Sequence, residues 1–180
     1  MPRKSLNQIK VCVLAGGIGS ERQVSIDSGK NIASALTKAG LDTKISDITP
    51  DDLSALNDTT VDVFFPALHG KFGEDGQLQE ILEAKELIFV GSGSKASGAA
   101  FDKVKSKTLF AMAGISTPSE IVINGREKDS DLAEILSTMA ERFVIKPVKE
   151  GSSVGVVIVE GPGAAIEAAK RCKELFGDCI

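Results

Sequence analysis

The chain has few of the side chains on which nucleic-acid surfaces and metal centres are usually built. Among its 180 residues there is no Trp and no Tyr, and the aromatics are eight Phe. Platforms for single-stranded nucleic acid stack bases on aromatic rings within a basic groove, whereas here rings are scarce and the net charge is −4. That argues against nucleic acid or an anionic membrane surface as a partner. There is one histidine, His69, and three cysteines, Cys12, Cys172 and Cys179, in no C-x-x-C spacing. No dedicated Cys/His zinc site can be built from them, and the odd count suits a reducing compartment. No apolar run approaches the ~20 residues that span a bilayer. None follows Met1-Pro2-Arg3-Lys4 as a signal peptide would, so a cytoplasmic protein is expected.

What is present is a chain with 42% hydrophobic residues, enough for a core in one domain or two small ones. Ile9 to Ala15 is a near-continuous apolar run closed by Gly16-Gly17, as for a strand buried on both faces of a parallel sheet. A helix is expected from about Ser25 to Ala39, then a strand from Asp42 to Ile48 and a short helix opened by Pro50-Asp51-Asp52. Val61 to Phe65 predicts a third strand, Gln77 to Ala84 a helix, and Leu87 to Val90 a fourth strand. Strands alternating with helices imply right-handed βαβ units and an open parallel α/β sheet. Ligands bind such sheets outside the carboxyl ends of the strands. Two polar loops fall there: Gly16 to Arg22, and His69 to Gly76.

The character changes near Gly98 to Phe101, where a domain boundary is expected, giving domains 1-98 and 99-180. Lys95 to Ala113 is helix-rich, and Thr117 to Ile123 reads as extended chain. Asp131 to Ala140 is an amphipathic helix leading into a strand, Arg142 to Ile145. The run Lys146-Pro147-Val148-Lys149-Glu150-Gly151-Ser152-Ser153 breaks that strand at proline, and Val154 to Val159 resumes it. Two hydroxyls, two flanking ammonium groups and glycine backbone make a plausible cradle for phosphate oxygens, although an ordinary polar hairpin turn fits the loop equally well. Pro162 opens a last helix to Phe176, and Cys179-Ile180 begin a further strand.

Familiar nucleotide and hydrolase motifs fail on physical grounds. Read from Gly17, the first glycine loop is G-I-G-S-E-R. Arg22 therefore stands where a dinucleotide fingerprint needs a small residue for close helix–strand packing, even though Asp47 ends the second strand suitably. Gly151 and Gly155 are not followed by Lys-Ser or Lys-Thr, and Gly-x-Ser-x-Gly is absent. Glu21 could hold an ammonium group or be a solvated helix-start carboxylate. His69 lies within reach of the same crevice. Lys103 and Lys107 are one helical turn apart, and Lys146, at a strand end, needs an anion if it is partly buried.

Five segments in this order, Leu14 to Ser25, Ala67 to Gly76, Gly91 to Ser97, Phe101 to Lys107 and Val144 to Val156, resemble the D-alanine–D-alanine ligases of the ATP-grasp superfamily. The resemblance runs from about residue 9 to the end. It implies an amino-terminal α/β substrate-binding domain of pre-ATP-grasp type, followed by an incomplete ATP-grasp α+β subdomain. In that family ATP phosphorylates the carboxylate of one D-alanine, and the amine of a second attacks the acyl phosphate, with Mg2+ (or Mn2+) neutralising the phosphates. By the same resemblance, Glu21 would hold the ammonium of the first D-alanine and His69 would lie beside its carboxylate. Ser152 would bridge towards Glu21 and help close the site. Lys103 and Lys146 would contact the ATP phosphates together with Glu150, Gly151, Ser152 and Ser153. A homodimer through the first domain and a role in peptidoglycan precursor synthesis are implied as well. The family's metal ligands and its oxyanion arginine have no counterpart in these residues, so the expectation is an amino-terminal portion, inactive alone and with no metal site of its own. The alternatives are a binding or dimerisation module without turnover, and a different ATP-grasp carboxylate–amine ligase.

Overall fold

The computed structural model describes residues 5–19 and 21–180; Met1 to Lys4 and Ser20, a member of the first motif, lie outside the described residues. The chain divides into two compact units, the first ending at Gly98 and the second running Ala99–Ile180.

In the first unit three parallel strands, β1 (Lys10–Gly16), β2 (Asp42–Ile48) and β3 (Val63–Pro66), lie in the order β2-β1-β3. The apolar run placed β1 at the centre for a physical reason: a strand with helices or loops over both faces needs apolar residues at every position. Cys12 and Leu14 pack with Phe64, Phe72, Leu78 and Leu82 on one face. Val11 and Val13 pack with Ala33 and Ala67 on the other. The helices are α1 (Arg22–Lys38) and α2 (Gln77–Ala84).

Two elements of this unit are shorter than the sequence suggests. Leu87 to Val90 makes a single parallel bridge, Phe64 with Phe89, carried by the Phe64 N–H to Ile88 (2.9 Å) and the Val90 N–H to Phe64 (3.0 Å). The segment lies between two residues of positive φ, Glu86 and Gly91. After Pro50 there is a tight turn, with Thr49 and Asp52 exchanging backbone hydrogen bonds, and then one 3-10 turn, Ser54–Asn57. The Asp52 carboxylate accepts from the Ser54 N–H at 3.0 Å, a local turn bond just ahead of this short element, whose N-cap is Leu53.

Helix α3 (Ser94–Phe101) carries the chain across the division, and α4 (Lys103–Met112) follows after a break at Asp102. Its carboxylate accepts from the N–H groups of Val104 and Lys105, both at 3.1 Å. An N-cap of this kind satisfies helical donors and splits what composition suggests is one helix into two. The second unit continues with α5 (Asp129–Met139), β4 (Arg142–Ile145), β5 (Val157–Glu160) and α6 (Pro162–Phe176), with β4 and β5 antiparallel. Strand β5 begins at Val157 rather than Val154, because Ser152, Ser153 and Gly155 all have positive φ and the chain turns there. A Cβ on Gly155 would lie 2.8 Å from both Phe176 and Pro147.

Of the extended segment 117–123, only Ile123 pairs. It bridges Cys179, which also bridges Pro147, while Lys146 and Ile180 exchange hydrogen bonds of 3.0 and 2.9 Å. The strand expected at the chain end is present only as these isolated bridges, beside a hairpin that would be marginal by itself. The core of this unit packs Leu132 and Leu136 of α5 against Phe143, Ile145, Ala165, Ala169 and Cys172. A parallel α/β unit followed by an antiparallel α+β unit is the fold class expected from the sequence. Among the described residues no helix is long and apolar enough to cross a membrane.

Candidate functional site

In the first unit the ends of β1 and β3 are joined by one hydroxyl. Ser25 in the first turn of α1 is fully buried; its Oγ accepts from the Gly16 N–H at 2.9 Å and donates to the Ala67 carbonyl at 2.8 Å. One turn further on, the Oγ of Ser28 lies 3.1 Å from Nε2 of His69. One turn earlier, Glu21 turns its carboxylate to Gly70, where an added Cβ would fall 2.5 Å from Oε2. Gly70 has φ +69°, and its N–H donates to Oε2 of Glu74 at 2.8 Å. The other Glu74 oxygen is 3.7 Å from Nδ1 of His69. The face Glu21–Ser25–Ser28 of α1 therefore runs along 67–70, and the two residues singled out by sequence, Glu21 and His69, share one polar mouth at the carboxyl ends of the strands.

Arg22 has a different partner. Its guanidinium grips both carboxylate oxygens of Asp47, with Nη1 to Oδ1 at 2.9 Å, and also donates to the Gly17 carbonyl at 3.0 Å. The bidentate pairing lowers the Asp47 pKa, through the hydrogen bond first. The aspartate that would serve a dinucleotide ribose is thus occupied by the arginine that spoils the fingerprint.

The predicted phosphate cradle belongs to the second unit. Lys103 is the first residue of α4. Its N–H donates to the Val148 carbonyl at 3.1 Å, and its ammonium donates to the Glu150 carbonyl at 2.6 Å. Burial, and then the nearby Lys146 charge, push its pKa down. Two ammonium groups held near one another in a partly desolvated place favour an anion between them. Ser152 and Ser153 are exposed, with left-handed backbones at φ +48° and +60°. The Gly151 carbonyl accepts from the Val154 N–H at 2.9 Å. Lys149 lies 3.7 Å from the buried Asp102 carboxylate, so the cap of α4 also anchors the loop. Lys107 is tied to Glu120 and to the Pro118 carbonyl, each at 2.6 Å. It lines a cavity of about 600 Å3 together with Phe110, Phe143 and Lys146. Among the described residues no three His, Cys, Asp or Glu side chains come together to hold a metal ion.

Ser25, Ser28, Glu74 and Asp102 were not singled out by the sequence. Positions four and seven after Glu21 share its helical face, which is the signal that could have found the two serines.

With this geometry in view, residues 52–92 match the family model described as the D-ala D-ala ligase N-terminus. The chain is 40% identical over 179 residues to the D-alanine–D-alanine ligase of Syntrophotalea carbinolica, covering 97% of this chain and 57% of that protein. Over nearly its whole length the chain is thus similar to part of a D-alanine–D-alanine ligase. Two solved ligases of this family share the fold. The D-alanine–D-alanine ligase of Coxiella burnetii superposes with a TM-score of 0.83 at 25% identity, covering 96% of this chain and 60% of that one. The Bacillus anthracis ligase complexed with ATP does so with a TM-score of 0.77 at 31% identity, covering 95% and 57%. The chain spans little more than half the length of the D-alanine–D-alanine ligases it matches.

Proposed function

We propose that this chain carries the first-substrate site and part of the ATP-phosphate site of a D-alanine–D-alanine ligase. In this reading a D-alanine zwitterion sits at the mouth of the first unit, its ammonium on Glu21 and its carboxylate beside His69. Lys103 and Lys146, with Ser153 and the backbone of Glu150 and Gly151, hold phosphate oxygens of ATP, and Ser152 helps to close the site. The reaction is transfer of a phosphoryl group to the D-alanine carboxylate, followed by attack of a second D-alanine amine on the acyl phosphate. Such chemistry asks for positioned cations and donors more than for covalent catalysis. Mg2+ or Mn2+ is expected for the activity, but the described residues offer it no convergent ligand set. The same reading carries a bacterial cytoplasm, peptidoglycan precursor synthesis and a homodimer through the first unit.

The observation that carries the proposal is that the Glu21 carboxylate reaches Gly70, the residue after His69, in a chain 40% identical to a D-alanine–D-alanine ligase. Calorimetric titration of D-alanine, L-alanine and D-lactate into the purified chain tests it. D-alanine is expected to bind best, and Glu21→Gln to remove the preference without altering the circular dichroism. A chain that preferred L-alanine or D-lactate would not be this ligase.

A further inference from the structure

His69 is held from two sides, and only one holder has an obvious charge. On one side Glu74 places a carboxylate oxygen 3.7 Å from Nδ1; on the other the Ser28 hydroxyl lies 3.1 Å from Nε2. At 3.7 Å the carboxylate is beyond hydrogen-bond distance, but its negative charge favours the tautomer whose proton is on the nitrogen that faces it. In a neutral imidazole the other nitrogen is then an acceptor, and the Ser28 hydroxyl is its donor. The ring cannot turn about Cβ–Cγ without giving up both contacts.

The hydroxyl itself stands on a rigid element. It is one turn beyond Ser25, which ties α1 to the ends of β1 and β3. Its neighbour Gly29 is buried so tightly that a Cβ there would lie 2.7 Å from Ala15 of β1. Helix α1 cannot slide along the sheet while both constraints hold. A site side chain is precise only when its supporting contacts are themselves fixed.

We propose that Ser28 is a positioning residue, setting the ring plane of His69 and holding it as the Nδ1–H tautomer at the substrate mouth. That a D-alanine carboxylate is what the ring awaits rests on the function proposed above; the geometry does not. Without the hydroxyl, Nε2 loses its donor, the ring samples further rotamers, and a ligand carboxylate meets a mixture of tautomers. The loss of about one neutral hydrogen bond corresponds to roughly fivefold weaker D-alanine binding.

His69 is the single histidine in the 180 residues, so the imidazole 15N resonances of the labelled chain report on it alone. At a pH where the ring is neutral, the unaltered chain is expected to show predominantly Nδ1–H, the reverse of the free side chain's preference. Ser28→Ala is expected to shift the ring towards a mixture, and Ser28→Thr, which keeps the hydroxyl, to restore it. Predominant Nε2–H in the unaltered chain, or ring resonances indifferent to Ser28→Ala in a folded variant, would overturn the role. Adding D-alanine to the same samples judges the substrate separately: His69 resonances that do not move count against the ligand, and leave the tautomer result standing.

Discussion

Lys103 donates a hydrogen bond from its ammonium to the backbone carbonyl of Glu150 over 2.6 Å. The first residue of α4 thereby holds the loop that begins at Lys149, and a second bond, from its N–H to the Val148 carbonyl at 3.1 Å, fixes the loop's entry. The cation is partly buried and faces Lys146, so its charged form is disfavoured and its pKa lies below the ordinary lysine value.

Because folding weakens proton binding at Lys103, the unfolded chain binds more protons in the window between the lowered value and 10.5, and stability rises with pH through that window. Lys103→Met is expected to remove this part of the pH dependence, read from urea midpoints between neutral and alkaline pH. Amide exchange at Gly151 to Gly155 is expected to speed up in the same variant, since the loop loses its tie. Unchanged exchange would mean that the Lys103–Glu150 bond does not hold the loop.

Ser25→Ala is expected to destabilise the chain by about 2–6 kcal/mol. It leaves the Gly16 N–H and the Ala67 carbonyl buried and unpaired at once, and each orphaned group costs about 1–3 kcal/mol. Chemical denaturation measures the loss. A change below about 1 kcal/mol would mean that water replaces the hydroxyl.

Gly29→Ala sets two effects against each other. Helix propensity favours alanine by about 1 kcal/mol, but the new methyl would lie 2.7 Å from the Ala15 Cβ, and overpacking a close helix–strand contact costs about 1–3 kcal/mol. Ala15 is 2% exposed in a strand covered on both faces, so it cannot yield. A net loss of stability is therefore expected, and a raised melting temperature would show that α1 can shift outward.

All three thiols are buried. Burial raises the pKa of Cys12 and Cys172, and raises that of Cys179 to about 12. The native chain is expected to react negligibly with Ellman's reagent at pH 8 and to give three equivalents in denaturant, because the thiolate is the reactive form. Since folding strengthens proton binding at these groups, their contribution to stability is full below the ordinary thiol value. It is lost as pH rises from there towards about 12. Native reactivity at pH 8 would contradict the burial.

Local chemistry determined much of this protein. The apolar run of β1, the glycine loop after it, Pro162 at the start of α6 and the strand at Arg142–Ile145 all follow from neighbours in sequence, and the order of the motifs indicated the ligase relationship. Polar residues at strand ends, Glu21 and His69, pointed to the mouth because parallel sheets bind ligands there. Tertiary structure alone decided which groups meet: that Arg22 grips Asp47, that Ser25 joins two strand ends, that Ser28 faces the ring of His69, and that Asp102 divides a helix and anchors Lys149. It also decided that Val154 to Val156 turn rather than extend, and that Leu87 to Val90 makes one bridge. The reason is physical: periodicity and propensity report a residue's own backbone and burial, whereas a hydrogen bond between residues 25 and 67 or 28 and 69 depends on where the whole chain brings its second partner.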